Sequence, residues 1–322
     1  MDPASVVQRS APVTVLRTPT WHAPLVIKGI LNKPDLIPYE DIELWPGITL
    51  REGIPYVSYS DGSAGFNPTT IAQYGLIAST KQDAKSFKIV QKMADWLFEN
   101  QSCDESWVYD FRYENPLLGL KLNPGWRSAI AQGNEISLLV RAFNLFRDQR
   151  YLDAAYKAVP ILFVPVESGG LQRPIDGMMF FEEYPDPNKG IYVLNGHLYA
   201  VIALYELAKV NDDLAKVNDD KRIKNLAFQS ARTGAAILER YTVPGTFYSK
   251  YALAGRTIIV SRRYQECHVR LCVLLCSHSG IQEYAKMAFL WSLDWRMLLP
   301  SSIISKIRSM YKFGSIIPHK TM

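Results

Sequence analysis

Two short stretches of this chain gather most of the side chains that can move a proton or hold a charge. Glu182, Glu183 and Tyr184 stand directly before Pro-Asp-Pro, which holds them at a loop edge because the residue before a proline is pushed out of helical backbone. Further on, Arg262, Arg263 and Tyr264 open an apolar run in which His268 follows Tyr264 by four residues, one helical turn away on the same face. Carboxyls and phenols are acid–base groups. A phenol titrates near ~10, so it serves as a base only where cations or hydrogen-bond donors stabilise the phenolate. Adjacent guanidinium groups could do that, or grip a carboxylate through two parallel bonds. Tyr248, in Gly-Thr-Phe-Tyr, adds another phenol. Each group also has a plain structural role: an acidic pair before a turn is solvated, an Arg pair lies on the surface, and a lone His on an apolar helix face is hydrogen-bonded in the core.

The element that must position these groups is the stretch from Asn123 to Asp148. Asn-Pro-Gly supplies a turn, after which Ile130, Ile136, Leu139, Val140, Phe143 and Phe146 recur at spacings of three and four, the period of a helix with an apolar face. Its first turns carry Trp126, Arg127, Gln132 and Asn134, a bulky and polar start suited to a binding surface, although packing of Trp126 and snorkelling of Arg127 explain the same residues. The helical period predicts eight helices, near 69–79, 82–100, 126–147, 151–164, 195–210, 218–240, 264–279 and 281–297. Short links between them imply antiparallel pairs, hence a mainly α chain built as an α/α barrel or toroid. Strand-like insertions at 107–113, 170–184 and 246–260 would gather at one mouth. Residues 1–60 read as an extended or small β arm, 61–299 as the barrel and 300–322 as a tail. Asn195, in Val-Leu-Asn-Gly, is placed to cap the following helix. LAKVNDD occurs twice in tandem from Leu207 to Asp220, which lengthens a helix end and carries no chemistry.

At 322 residues with a formal charge of +5, the chain is long enough for a sizeable core and only mildly basic. No Lys/Arg block points to nucleic acid, while an acidic polymer partner is compatible. The four cysteines, Cys103, Cys267, Cys272 and Cys276, lack zinc-site spacing and disulfide density, so free thiols are expected and no metal is implied. Neither a phosphate loop nor a dinucleotide fingerprint is present, so no cofactor is expected. No segment is apolar over a bilayer-spanning length, and the chain as written reads as soluble.

Several short motifs in order resemble the C-terminal catalytic domain of D-glucuronyl C5-epimerase, which converts glucuronic to iduronic acid within heparan-type chains. They are W-x-S-x-x-A-Q-G at Trp126 to Gly133, E-E-Y-P at Glu182 to Pro185, V-L-N-G at Val193 to Gly196 and Y-x-x-x-H at Tyr264 to His268, with a weaker match at Asn67 to Leu76. The resemblance runs over roughly residues 55 to 295. It implies a cofactor-free epimerase acting on an acidic, heparosan-like polysaccharide, a possible homodimer, and a Golgi setting for animal members, which carry a membrane anchor.

Inverting C5 of a uronate takes a proton from one face and returns one to the other, while something neutralises the sugar carboxylate. The resemblance assigns that work to Glu183, Tyr184, Tyr248 and Tyr264. Trp126, Arg127, Gln132, Asn195, His197, Arg262, Arg263 and His268 become substrate-binding candidates. A positive groove is expected from Arg127, Lys250, Arg256, Arg262 and Arg263. The chain departs from the family at three places. Arg127 stands in a W-Y-S motif, Tyr251 replaces an Arg thought to hold substrate acid, and Ser261 replaces an Arg upstream of the second tyrosine. Those departures keep two other functions open: a uronate lyase or hydrolase on the same barrel, since C5 proton abstraction also begins β-elimination, and a non-catalytic polysaccharide-binding relative.

Overall fold

A computed structural model describes residues 47–59, 61–214, 221–255, 257–260 and 262–293. The eight α-helices among them form four consecutive hairpins. These are α1 (Pro68–Ser79) with α2 (Ala84–Glu99), α3 (Ala129–Phe146) with α4 (Gln149–Lys157), α5 (Leu194–Leu214) with α6 (Lys221–Ile237), and α7 (Arg262–Ser279) with α8 (Gln282–Ser292). The first member of each hairpin packs beside the first member of the next, α1 on α3, α3 on α5 and α5 on α7, so an inner layer of parallel helices is backed by an outer layer running the other way. That is the layering of an α/α barrel.

Burial explains which helix goes where. Every residue of α3 from Ala129 to Val140 is buried, Gln132, Asn134 and Glu135 included, because it is enclosed by α1, α5 and its own partner. The outer helix α2 keeps only one stripe buried, with Val90, Met93, Ala94 and Leu97 facing inward, as an amphipathic surface helix must. Single capping residues set the starts. Asn67 accepts the Thr70 N–H at 3.0 Å with Pro68 at the first helical position, and Asp83 accepts the Ser86 N–H at 2.8 Å. Asn195 lies one residue inside α5, which begins at Leu194, so it is not the cap expected of it. The helix expected at 151–164 is broken into α4 and a 3-10 turn at Pro160–Phe163, because Pro160 cannot continue an α-helical ladder.

Three small antiparallel sheets fill the gaps. Strands β1 (Ile48–Arg51), β2 (Ile54–Ser58) and β3 (Ala64–Gly65) form one; β4 (Tyr113–Asn115) pairs with β5 (Leu120–Leu122), and β6 (Gln172–Ile175) with β7 (Met178–Phe181). The β6–β7 turn is Asp176-Gly177 with φ of 50° and 76°, the two left-handed residues that a tight hairpin needs. Among its described residues, segment 246–260, expected to have strand character, makes only isolated bridges such as Lys250 to Ile259. Residues 1–46 of the expected arm, the 300–322 tail and most of the second LAKVNDD copy lie outside the described residues.

Candidate active site

The parallel inner helices turn their N-terminal ends toward one mouth, and β7 delivers Glu182 and Glu183 there. The Ala129 N–H, at the start of α3, donates to the Glu182 carbonyl at 3.0 Å and so ties the strand end to the helix. Glu182 turns back into the protein and accepts two successive N–H groups, Ile191 and Tyr192, each at 2.9 Å. It therefore pins the loop leading into α5. Glu183 points the other way, fully enclosed, with its Oε1 accepting the Tyr251 hydroxyl at 2.9 Å. Its Oε2 lies against the first turn of α5, where Gly196 leaves room for it. Burial raises both carboxyls to about 7. For Glu183 the hydroxyls of Tyr184 and Tyr251, the Gly196 N–H and the Asn195 amide pull the other way, although the amide does not reach hydrogen-bond geometry.

Around this carboxyl stand phenols. Tyr251 is fixed by its own backbone, donating to the Ile258 carbonyl at 2.8 Å and accepting the Leu194 N–H at 3.1 Å. Its hydroxyl lies 3.2 Å from that of Tyr184, and its ring meets Tyr264 edge to face at 5.4 Å. Tyr264 is packed on its other side by His268, again edge to face, at 5.5 Å. His268 Nδ1 lies 2.9 Å from Ser249 Oγ, and burial lowers its pKa to about 3, so the ring is neutral. Burial, reinforced by the negative Glu183, raises the Tyr184 and Tyr251 phenols well above their ordinary range. Trp126 stacks on Tyr109 at 3.8 Å, with its ring 6.1 Å from Tyr184 and its indole N–H on the Phe111 carbonyl. Together Tyr59, Tyr113, Trp126, Ser128, Glu183 and Tyr184 line a pocket of about 20 Å³, room for one water.

Glu183, Tyr184 and Tyr264 are thus joined through Tyr251, and Trp126 adjoins Tyr184. Tyr248 is half-buried three residues earlier, with its N–H on Thr246 Oγ1. Arg127 is ion-paired with Asp104 and donates to Ser106 Oγ at 2.8 Å, which commits its charge. The Gln132 amide donates to the Ala158 carbonyl at 2.9 Å and is enclosed. His197 accepts the Phe181 N–H at Nδ1 and faces the Ser230 carbonyl at Nε2, which makes the Nε2–H tautomer the one that satisfies both; burial lowers it to about 4. Gln132 and His197 are therefore held as core residues. Lys250 donates to the Arg240 carbonyl at 3.0 Å. Arg256 and Ser261, and the side chains of Arg262 and Arg263, lie outside the described residues. Tyr251 was visible in the sequence only as a departure from a motif. Tyr109, Tyr113 and Asn115 gave no signal beyond their aromatic and turn character.

Among the described residues no group of His, Cys, Asp and Glu is arranged to hold a metal, and no helix is long and apolar enough to cross a membrane. Cys103 is exposed, Cys267 and Cys272 are buried, and all four thiols are free.

Fold and site together define an α/α helical protein with a buried carboxyl and phenols at the N-terminal ends of its inner helices. The profile of the D-glucuronyl C5-epimerase C-terminus matches residues 101–293, and the chain belongs to that family. D-glucuronyl C5-epimerase of Caenorhabditis elegans is 30% identical over 237 residues, 71% of this chain; the match spans 38% of that relative's length. An uncharacterised protein of Methanocaldococcus jannaschii is 36% identical over 99 residues, 30% of this chain and 31% of that protein. Among solved structures, the unsaturated glucuronyl hydrolase of Bacillus sp. GL1 aligns with a TM-score of 0.44 and 14% identity over 69% of this chain and 60% of that one, too distant to bear on activity.

Proposed function

We propose that this chain is the catalytic part of a cofactor-free epimerase that inverts C5 of D-glucuronate to L-iduronate within an acidic, heparosan-type polysaccharide. The observation that carries this is the buried Glu183 carboxyl, raised by burial to about 7, which accepts the hydroxyl of Tyr251, whose ring in turn meets Tyr264 edge to face. A general base works best when its pKa sits near the working pH. Glu183 takes the C5 proton from one face of the ring, and Tyr264 returns a proton from its phenol to the other. Tyr184 stands beside the carboxyl, and Arg262 and Arg263 are placed in sequence to neutralise the uronate carboxylate. A pyranose is far larger than the pocket of about 20 Å³, so binding requires the rings around Trp126 to part.

Incubation with heparosan in deuterated water tests the proposal. Deuterium at C5 together with iduronate supports it. An unsaturated, ultraviolet-absorbing product would replace it with the lyase alternative, and binding with neither exchange nor product would leave a polysaccharide-binding relative.

A further inference from the structure

Behind Glu183 runs a line of hydroxyls with a direction. Asn115 Oδ1 accepts the N–H groups of Leu117 and Leu118 at 3.1 and 3.2 Å, so its amide cannot be flipped without losing both bonds. Its Nδ2 therefore faces Tyr113 Oη, at 3.2 Å, and an amide nitrogen only donates. Having accepted that hydrogen, Tyr113 donates its own to Tyr184 Oη at 3.3 Å. The Tyr184 hydroxyl is 3.2 Å from Tyr251 Oη, and Tyr251 donates to Glu183 Oε1 at 2.9 Å. Each phenol has one hydrogen to give; with that of Tyr251 spent on the carboxylate, Tyr184 must donate to Tyr251 and Tyr113 to Tyr184, a direction that the Asn115 donor at the head of the line reinforces.

Resting on the proposed role of Glu183 as proton acceptor, we propose that Asn115, Tyr113 and Tyr251 form with Tyr184 a polarised hydrogen-bond chain that keeps Glu183 ionised, Tyr251 and Asn115 being positioning residues for the reaction. A carboxylate accepts only, whereas a carboxylic acid must also place a proton. A donor aimed at Oε1 by the rest of the chain favours the ionised form. Besides these phenols, the Gly196 N–H at the start of α5 also favours the ionised form; the remaining neighbours do not. Glu182, its neighbour just beyond β7, raises rather than lowers its proton affinity as a like charge. Tyr109, before β4, is a buried phenol already bonded to Thr69. Asn195, on α5, falls short of hydrogen-bond geometry. The phenol–phenol distances of 3.2 and 3.3 Å are long for hydroxyl pairs, so coupling along the chain is weaker than the final Tyr251 bond at 2.9 Å, and Tyr184 also acts on the carboxyl directly.

The full chain, labelled with ¹³C at the Glu carboxyls, reports the Glu183 titration by NMR, its resonance assigned by Glu183→Gln. Tyr251→Phe, which removes one oxygen, should raise the midpoint by about one to two pH units, the scale of a lost bond to a charged group. Asn115→Asp keeps the turn acceptor but replaces the donor with an acceptor, drawing the Tyr113 hydrogen outward and reversing the chain, so it should raise the midpoint by a smaller amount. Combined with Tyr113→Phe, which cuts the chain, most of the Asn115→Asp shift should vanish. The acid limb of kcat against pH should move with the titration in each variant. An Asn115→Asp shift of the same size with and without Tyr113 would mean through-space charge alone and would overturn the proposal, as would an unmoved midpoint in Tyr251→Phe. If the midpoints move as expected while the unmodified protein exchanges no C5 hydrogen, the chain stands and the epimerase reading falls.

Discussion

Gly196 and Glu183 are packed so closely that a Cβ built on the glycine lies 2.6 Å from the Glu183 Cβ and 3.0 Å from its Oε2. The first turn of α5 and the end of β7 can meet only because position 196 has no side chain. In an exposed helix Gly→Ala stabilises by up to about 1 kcal/mol, but overpacking a rigid core costs about 1–3 kcal/mol. Gly196→Ala should therefore lower Tm and cut turnover together, since the atoms it displaces belong to Glu183 and include a carboxyl oxygen. A Tm that rises in a thermal scan would show that the two elements separate easily.

Glu183→Gln and Tyr264→Phe keep shape while deleting a transferable proton or its acceptor. Each should reduce epimerisation by about 10²-fold or more, the usual scale for a positioned acid or base, with polymer binding nearly unchanged. One of the two variants should still wash the C5 hydrogen out of glucuronate in deuterated water while failing to form iduronate. Near-normal turnover in Tyr264→Phe would remove that residue from the mechanism.

Burial raises Glu135, Glu182 and Glu183 above the ordinary 4.5, the last two to about 7. A carboxyl with a raised folded pKa binds more protons in the native than in the unfolded state between those values. Stability should consequently fall as pH rises from about 4.5 through about 7, the reverse of the usual carboxylate trend. Measured by Tm across that window, Glu183→Gln should make the decline shallower. Activity should run in the opposite sense, rising with pH as Glu183 ionises.

Arg127 is joined to Asp104 and Ser106 at the start of α3. Its guanidinium and the Asp104 carboxylate are each partly exposed, and such pairs contribute at most about 1 kcal/mol. Arg127→Ala should cost a little Tm and leave KM for the polymer within about twofold, as expected for a charge already paired. A large rise in KM, falling away at high salt, would return Arg127 to the substrate.

How far the sequence carried is clearest residue by residue. Periodicity located the helices because burial on one face is a local, repeating pattern, and turn chemistry at Asn67-Pro68 marks the start of α1 from three adjacent residues. Glu183, Tyr184 and Tyr264 were legible because they sit in short motifs whose order resembles a family. Tyr251 was not: it is 68 residues from Glu183, and nothing local shows that its hydroxyl reaches that carboxyl. Gln132 and His197 looked available for sugar hydroxyls, yet enclosure by neighbouring helices commits both to backbone groups. Periodicity thus set the helical class, and the motif resemblance named three members of the candidate site. Which phenol holds the carboxyl, whether an arginine's charge is spent, and where a buried acid titrates depend on distances between segments far apart in the chain, and only the packing of α3, α5 and α7 around the end of β7 decides those.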